Sequence, residues 1–224
     1  MNVDGGRGLW RIAGVLAIAQ VVLTVASYSL QRVADLGAKP SKVTSAFVTF
    51  SIGKGYAGEL LNCLSLLVFL FAATLLARLV RRDDELSGWL SSAVAASGAI
   101  YVAVSLASYL PALGTALYEG HHGASLATVT TLDHLHWFGV FAATAVLGAF
   151  TLSVAAAIRV GGMLPGWLAY TGIAVGVLCL AGGEGAHLSL NGVASIVWMV
   201  WFVLLGVAAL RGSRGEAVAA PAVG

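Results

Sequence analysis

The chain has 224 residues, of which 59% are apolar and only 10% charged, with a mean hydropathy of +0.91 and a formal net charge of +2. These values lie far from those of a soluble globular domain and identify an integral membrane protein. Nine Arg and three Lys are scattered along the chain rather than gathered with aromatics into a patch, which excludes nucleic acid as a partner and makes the basic residues signals of membrane topology.

Six apolar stretches are long enough to cross a bilayer as helices, which takes roughly 20 residues at a rise of about 1.5 Å each. They lie at about 9–30, 56–79, 88–113, 132–158, 163–183 and 184–210. The expected fold is therefore all-α, a polytopic bundle of six transmembrane helices forming one membrane domain over residues 1–211. The remaining stretch, 212–224, consists mostly of Ala, Gly and charged residues and reads as a disordered tail. Arg7 and Arg11 flank the first run, but that run is too long for a cleaved signal peptide and reads as a retained span.

Counting Lys and Arg over alternate loops sets the orientation. Arg7, Arg11, Arg78, Arg81, Arg82, Arg159, Arg211 and Arg214 fall on one side, against Arg32, Lys39, Lys42 and Lys54 on the other. Eight against four places both termini in the cytoplasm. The segment 121–136, with four of the five histidines, then faces outward.

In chain order, span one carries Gln20, Thr24, Ser27 and Gln31 at near-helical spacing, a stripe that reads first as helix packing. The outer loop 31–55 contains a mildly amphipathic S-A-F-V-T-F run, which reads either as an interfacial lid or as a flexible connection. At the start of span two, Glu59, Asn62 and Cys63 share a face, and an ionisable residue one turn inside an apolar helix is a site candidate. The loop 81–87 mixes both charges and is ordinary solvated turn chemistry. Span three turns polar toward its outer end through Ser97, Tyr101, Ser105, Ser108 and Tyr109, and Pro111 marks its terminus.

An outer loop over 114–131 follows, bringing Glu119, His121 and His122 up to the D-H-L-H-W run. On a helix Asp133, His136 and Trp137 share one side, while His134 points away with Phe138. Histidine is the commonest metal ligand and takes a carboxylate or carbonyl on its other nitrogen, so Asp133, His134, His136 and the later His187 form a candidate metal set. No established metal-binding spacing supports it, and N-terminal capping or interfacial polarity explains the same residues. Spans five and six form a tight outer hairpin in which Glu184, His187 and Asn191 align at steps of three and four. Cys63 and Cys179 fall at similar depth, where inert packing is a simpler reading than a disulfide.

The R-I-A-G at 11–14, G-E-L-L at 58–61, L-P-G-W-L at 164–168 and the early Asn191 of the last span resemble a broad family of six-helix bacterial membrane proteins known only as a domain of unknown function. The resemblance implies an all-helical bundle in a bacterial plasma membrane and no particular activity. The histidine-rich segment 121–136 is not part of it.

Polar stripes on five of the six spans thus point to a pocket in the outer half, with Asn62, Tyr101, Tyr109, Trp137 and Asn191 as ligand-binding candidates. Three function classes fit. One is a protein binding a metal, haem or a small apolar or amphipathic ligand. Another is an enzyme acting on a lipid or isoprenoid, with Glu59 and Glu184 as paired acids. The third is a transporter, against which stand the lack of internal repeats and of broken helices at midmembrane. An accessory subunit meeting a partner protein or a second copy, with only lipid around it otherwise, is a fourth.

Overall fold

The computed structural model describes residues 3–31, 38–184 and 188–215, all helices and turns without strands among them. The elements are α1 (Val3–Ser29), α2 (Pro40–Val48), α3 (Ile52–Val80), α4 (Glu85–Ala107), α5 (Tyr109–His121), α6 (Leu126–Gly161), α7 (Gly166–Gly182) and α8 (Leu188–Gly215). Five stretches are long and apolar enough to span a membrane, and α7 is a shorter apolar helix. The architecture is an all-α polytopic bundle.

Local chemistry sets the helix ends. Ser51 and Ser125 cap α3 and α6 by accepting hydrogen bonds from the backbone N–H of Lys54 and Thr128. The Asp84 carboxylate accepts the Ser87 N–H at 2.8 Å at the start of α4, and that bond holds its carboxyl below the usual range. Gly162 closes α6 in the left-handed conformation at φ 61°, and Pro165, with no N–H to leave unpaired, precedes α7. The Arg82 guanidinium reaches the Gly161 carbonyl, tying the two turns at this end together.

Several boundaries differ from the sequence expectation. The loop over 114–131 is largely helical, because Pro111 interrupts the third span only at Ser108 and the chain resumes as α5. At 36 residues, α6 runs about 54 Å, well past a hydrocarbon core of roughly 30 Å, so its first turns stand beyond that core. The run around 40–48 is a packed helix, α2, with Val43 and Phe47 buried against α5 and α6. It sits as a cap rather than a flexible connection. The last helix begins at Leu188, and Glu184 belongs to the turn after α7. Cys63 and Cys179 are both free. At the C-terminus α8 continues to Gly215, and 216–224, most of the expected tail, lie outside the described residues.

Six helices close into a ring in the order α1, α3, α4, α6, α7, α8, with α8 returning to α1. Ring neighbours are antiparallel, which leaves α1 beginning and α8 ending at the same end of the bundle. The opposite, distal end carries α2, α5 and the first turns of α6. Apolar side chains such as Leu60, Phe71, Trp89, Phe138 and Ile173 face outward, the arrangement of a surface immersed in lipid.

Lipid gives apolar helices no hydrophobic reason to associate, so close approach and polar pins do that work. Gly98 lies against Ala73 and Phe150, and Gly148 against Gly176. Between non-consecutive helices, Thr144 accepts from Asn191 at 2.9 Å and Thr151 accepts from the Trp198 indole at 3.0 Å. Inside the ring Phe69, Phe150, Trp198 and Phe202 pack in mutual contact, with Trp198 and Phe202 stacked at 4.8 Å and Phe69 edge-on to Phe150 at 4.9 Å. This aromatic plug fills the middle of the bundle.

α1 and α8 meet at Gly14 and Gly206, where a methyl on Gly14 would lie 2.6 Å from the Gly206 carbonyl oxygen. Gly14→Leu is expected to destabilise the fold by at least about 1–3 kcal/mol through overpacking. Gly8→Leu, where nothing lies within 4 Å, is expected to leave the melting temperature in detergent near wild type.

Candidate functional site

Above the plug, the distal half of the ring is hollow. A chamber of about 380 Å³ is lined from α1 by Gln20, Thr24 and Tyr28, from α3 by Asn62, from α4 and α5 by Tyr101 and Tyr109, from α6 by His136, Trp137 and Thr144, and from α8 by Asn191 and Ser195. Val140, Ala143, Leu147, Ile196 and Met199 supply apolar wall, and Trp198 joins the floor. The volume lies within the range of small-ligand pockets. No Asp, Glu, Lys or Arg is among the lining residues.

The hydrogen-bond pattern shows what the chamber offers. His136 is buried, and its Nδ1 lies 2.9 Å from the Tyr109 carbonyl oxygen. A carbonyl can only accept, so in the neutral ring Nδ1 carries the proton and Nε2 keeps a lone pair. That bond forms where α5 starts beside α6, at a contact close enough that a Cβ on Gly139 would lie 2.5 Å from Ser108 Oγ. Tyr109 and Trp137 stand edge-on to the imidazole at 5.8 and 5.7 Å.

Asn191 donates Nδ2 hydrogens to Thr144 Oγ1 at 2.9 Å and to the Gly182 carbonyl at 3.2 Å. The Thr144 hydroxyl already donates to Val140 O, so both neighbours act as acceptors and the amide orientation follows from them. Its Oδ1 is left as an acceptor on a chamber-lining side chain. On the opposite wall Gln20 donates to Thr24 at 3.0 Å, and Thr24 and Ser65 are 2.7 Å apart, which ties α1 to α3.

Of the ligand, metal and acid candidates named from the sequence, Asn62, Tyr101, Tyr109, Trp137, Asn191 and His136 come together around this chamber, beside Gln20, Thr24 and Gln31 of the first stripe. The others do not. Asp133 is 1% exposed and neither of its oxygens has a hydrogen-bond partner, but it does not line the chamber. His134 is exposed on the far side of α6, and His187 lies outside the described residues. Among the described residues no three His, Cys, Asp or Glu side chains group as a metal site. His121 and His122 bond to the carbonyls of Phe50 and Tyr118, at the cap rather than over the chamber.

The two acids do not meet there either. Glu184 is exposed in its turn, off the helix on which it was expected to align with Asn191. Glu59 is half-buried and accepts a hydrogen bond from Gln31 Nε2 at 2.9 Å. It borders a separate hollow of about 10 Å³ beneath α2, lined also by Phe47, Phe50 and Leu117. Gln31 lines both spaces.

Thr144 and Ser195 line the chamber without having stood out in the sequence, and the signal for both was present. Stepping inward from His136 by fours reaches Val140 and Thr144, and one step from Asn191 reaches Ser195. Gln20 and Thr24 were visible as a stripe but read as packing, which is also part of what they do.

No protein-family model, curated protein or solved structure matches the chain.

Asn191→Leu is expected to cost about 1–3 kcal/mol, because the buried Gly182 carbonyl loses its side-chain donor and the Thr144 pin is cut. Ser195→Ala on the same helix should stay within about 0.5 kcal/mol. Thermal unfolding of the two variants in detergent measures the difference.

Proposed function

We propose that this is a ligand-binding membrane protein whose distal chamber takes a small uncharged molecule through hydrogen bonds from Asn62, Tyr101, Tyr109, His136 and Asn191. The observation that carries the reading is convergence. Five spans contribute polar side chains to one cavity, in a bundle whose remaining interior is filled by aromatic rings. The acceptors at His136 Nε2 and Asn191 Oδ1 suit a ligand hydroxyl, and the phenols suit a carbonyl.

The ligand is organic rather than a metal or haem in this reading. Asp133 is not in the chamber and His134 faces away from it, leaving His136 as its one imidazole among the described residues. A second reading, a membrane enzyme, is favoured by one feature: His136 Nε2 is held by its partner nitrogen as a proton acceptor toward any bound hydroxyl. Glu59 and Glu184 are not its acid pair, since neither borders the chamber.

We further read the protein as a resident of a bacterial plasma membrane with both termini cytoplasmic and the chamber near the outer face. The arginine-rich end carrying Arg78, Arg81, Arg82 and Arg159 supports the orientation, and the motif resemblance supports the source.

Two experiments test these readings. Solvent extraction and mass spectrometry of the gently purified protein should release one small molecule in stoichiometric amount. His136→Ala and Asn62→Leu should lower its occupancy about tenfold, equivalent to about 1.4 kcal/mol. A wild-type protein that carries none, and that no member of a small-molecule library stabilises, would overturn the binding role. For orientation, a membrane-impermeant maleimide applied to whole cells should label Ser41→Cys in a background lacking the native cysteines. Asp83→Cys should react only after permeabilisation, and the reverse pattern would invert the topology.

A further inference from the structure

We propose that the chamber is filled from the bilayer through a gap between α1 and α8, and that its ligand is a neutral amphiphile with a hydroxyl or carbonyl head on a hydrocarbon chain. The proposal rests on the chamber being a binding site and adds the class of ligand and its route.

The gap follows from how α1 and α8 cross. At Gly14 and Gly206 their backbones touch, with an added methyl on Gly206 only 2.9 Å from the Gly14 carbonyl oxygen. Fourteen residues along each helix toward the distal end, counted from 14 to 28 and from 206 to 192, Tyr28 comes level with Gly192. A methyl on Gly192 would meet nothing within 4 Å. The backbones that touch at Gly14 and Gly206 thus leave open space beside α8 about four turns later, at the level of Tyr28. Tyr28 and Ile196 line the chamber and are 53% and 60% exposed, so interior and outer surface communicate there. The facing wall at Asn62, Tyr109 and His136 is buried.

Among the described residues, two other approaches are obstructed. Toward the cap, the Gln31–Glu59 hydrogen bond stands across the way, and only the small hollow under Phe47 and Phe50 lies beyond it. Toward the termini, the stacked rings of Trp198 and Phe202 close the floor. The rim at Tyr28 and Ile196 opens onto the apolar surface of the bundle.

Lining chemistry selects the head group. Moving a phosphate or an ammonium into a chamber with no opposite charge carries a large desolvation penalty, whereas a hydroxyl or carbonyl exchanges water for amide, phenol and imidazole partners. The volume of about 380 Å³ accommodates the head and the first part of a chain. The rest passes Ile196 and Met199 into lipid.

The test uses the full-length protein in lipid nanodiscs with three probes: decanol, decyl phosphate and 1-butanol, followed by thermal unfolding. Decanol should raise the melting temperature and decyl phosphate should not. Gly192→Trp, which places a ring where the gap stands open, should weaken the decanol response about tenfold while leaving the ligand-free melting temperature unchanged. Ile196→Trp on the exposed rim serves as a second variant with the same expectation if the first does not fold. Equal responses to decanol and decyl phosphate, or a decanol response undiminished in both variants, would overturn the amphiphile and its route. A response to 1-butanol alone, insensitive to Gly192→Trp, would do so too while leaving the chamber as a binding site. No response to any probe, in a protein that still releases a stoichiometric small molecule on extraction, would overturn this proposal and not the binding role.

Discussion

Two side-chain hydrogen bonds, seven residues apart on both helices, decide what the middle of this protein is. Thr144 and Thr151 of α6 receive Asn191 and Trp198 of α8, and these pins set the rotation and height of α8 in a solvent that offers apolar helices no preferred register. Held by Thr151, the Trp198 ring stacks on Phe202 and completes the aromatic plug. Held by Thr144, Asn191 keeps its carbonyl oxygen at the wall of the chamber. One heptad of α8 thus separates solid interior from hollow interior.

The hollow half is polar without being charged, and this combination narrows its chemistry. Amides, phenols, hydroxyls and one imidazole are groups a helix tolerates at membrane depth when each finds a partner. Much of that pairing is visible: His136 to the Tyr109 carbonyl, Asn191 to Thr144 and Gly182, Gln20 to Thr24. What remains unpaired at the wall is a small set of acceptors whose direction is fixed by those bonds. Such a wall offers hydrogen-bonding groups and apolar contact but no formal charge.

Much of this was legible in the chain itself. Hydropathy places five long apolar helices and the shorter α7, because a segment's length and composition are local properties. Helical phase separates His136 from His134 correctly, since the two are a fixed angle apart on any helix. Periodicity indicates that a face is polar but not which neighbour it meets, so the stripe of Gln20 and Thr24 reads first as packing and only with the other spans as pocket wall. Boundaries were harder. Glu184 was counted on the last helix because its spacing to Asn191 suits one, yet it sits in the preceding turn and is exposed. The continuation of the third span as α5, and the packing of α2 onto it, depend on contacts such as Phe47 with Gly120 that no local pattern encodes.

In the ring of six helices, five seams join segments that follow one another along the chain, through a turn or through the short helices α2 and α5. The seam between α1 and α8 joins the first to the last and has no covalent link at either end. Parting these two helices stretches no connecting loop, and the glycine contact toward the end where α1 begins and α8 ends supplies a fulcrum. The wall of the chamber most easily widened is therefore the one the chain's own connectivity leaves unstitched.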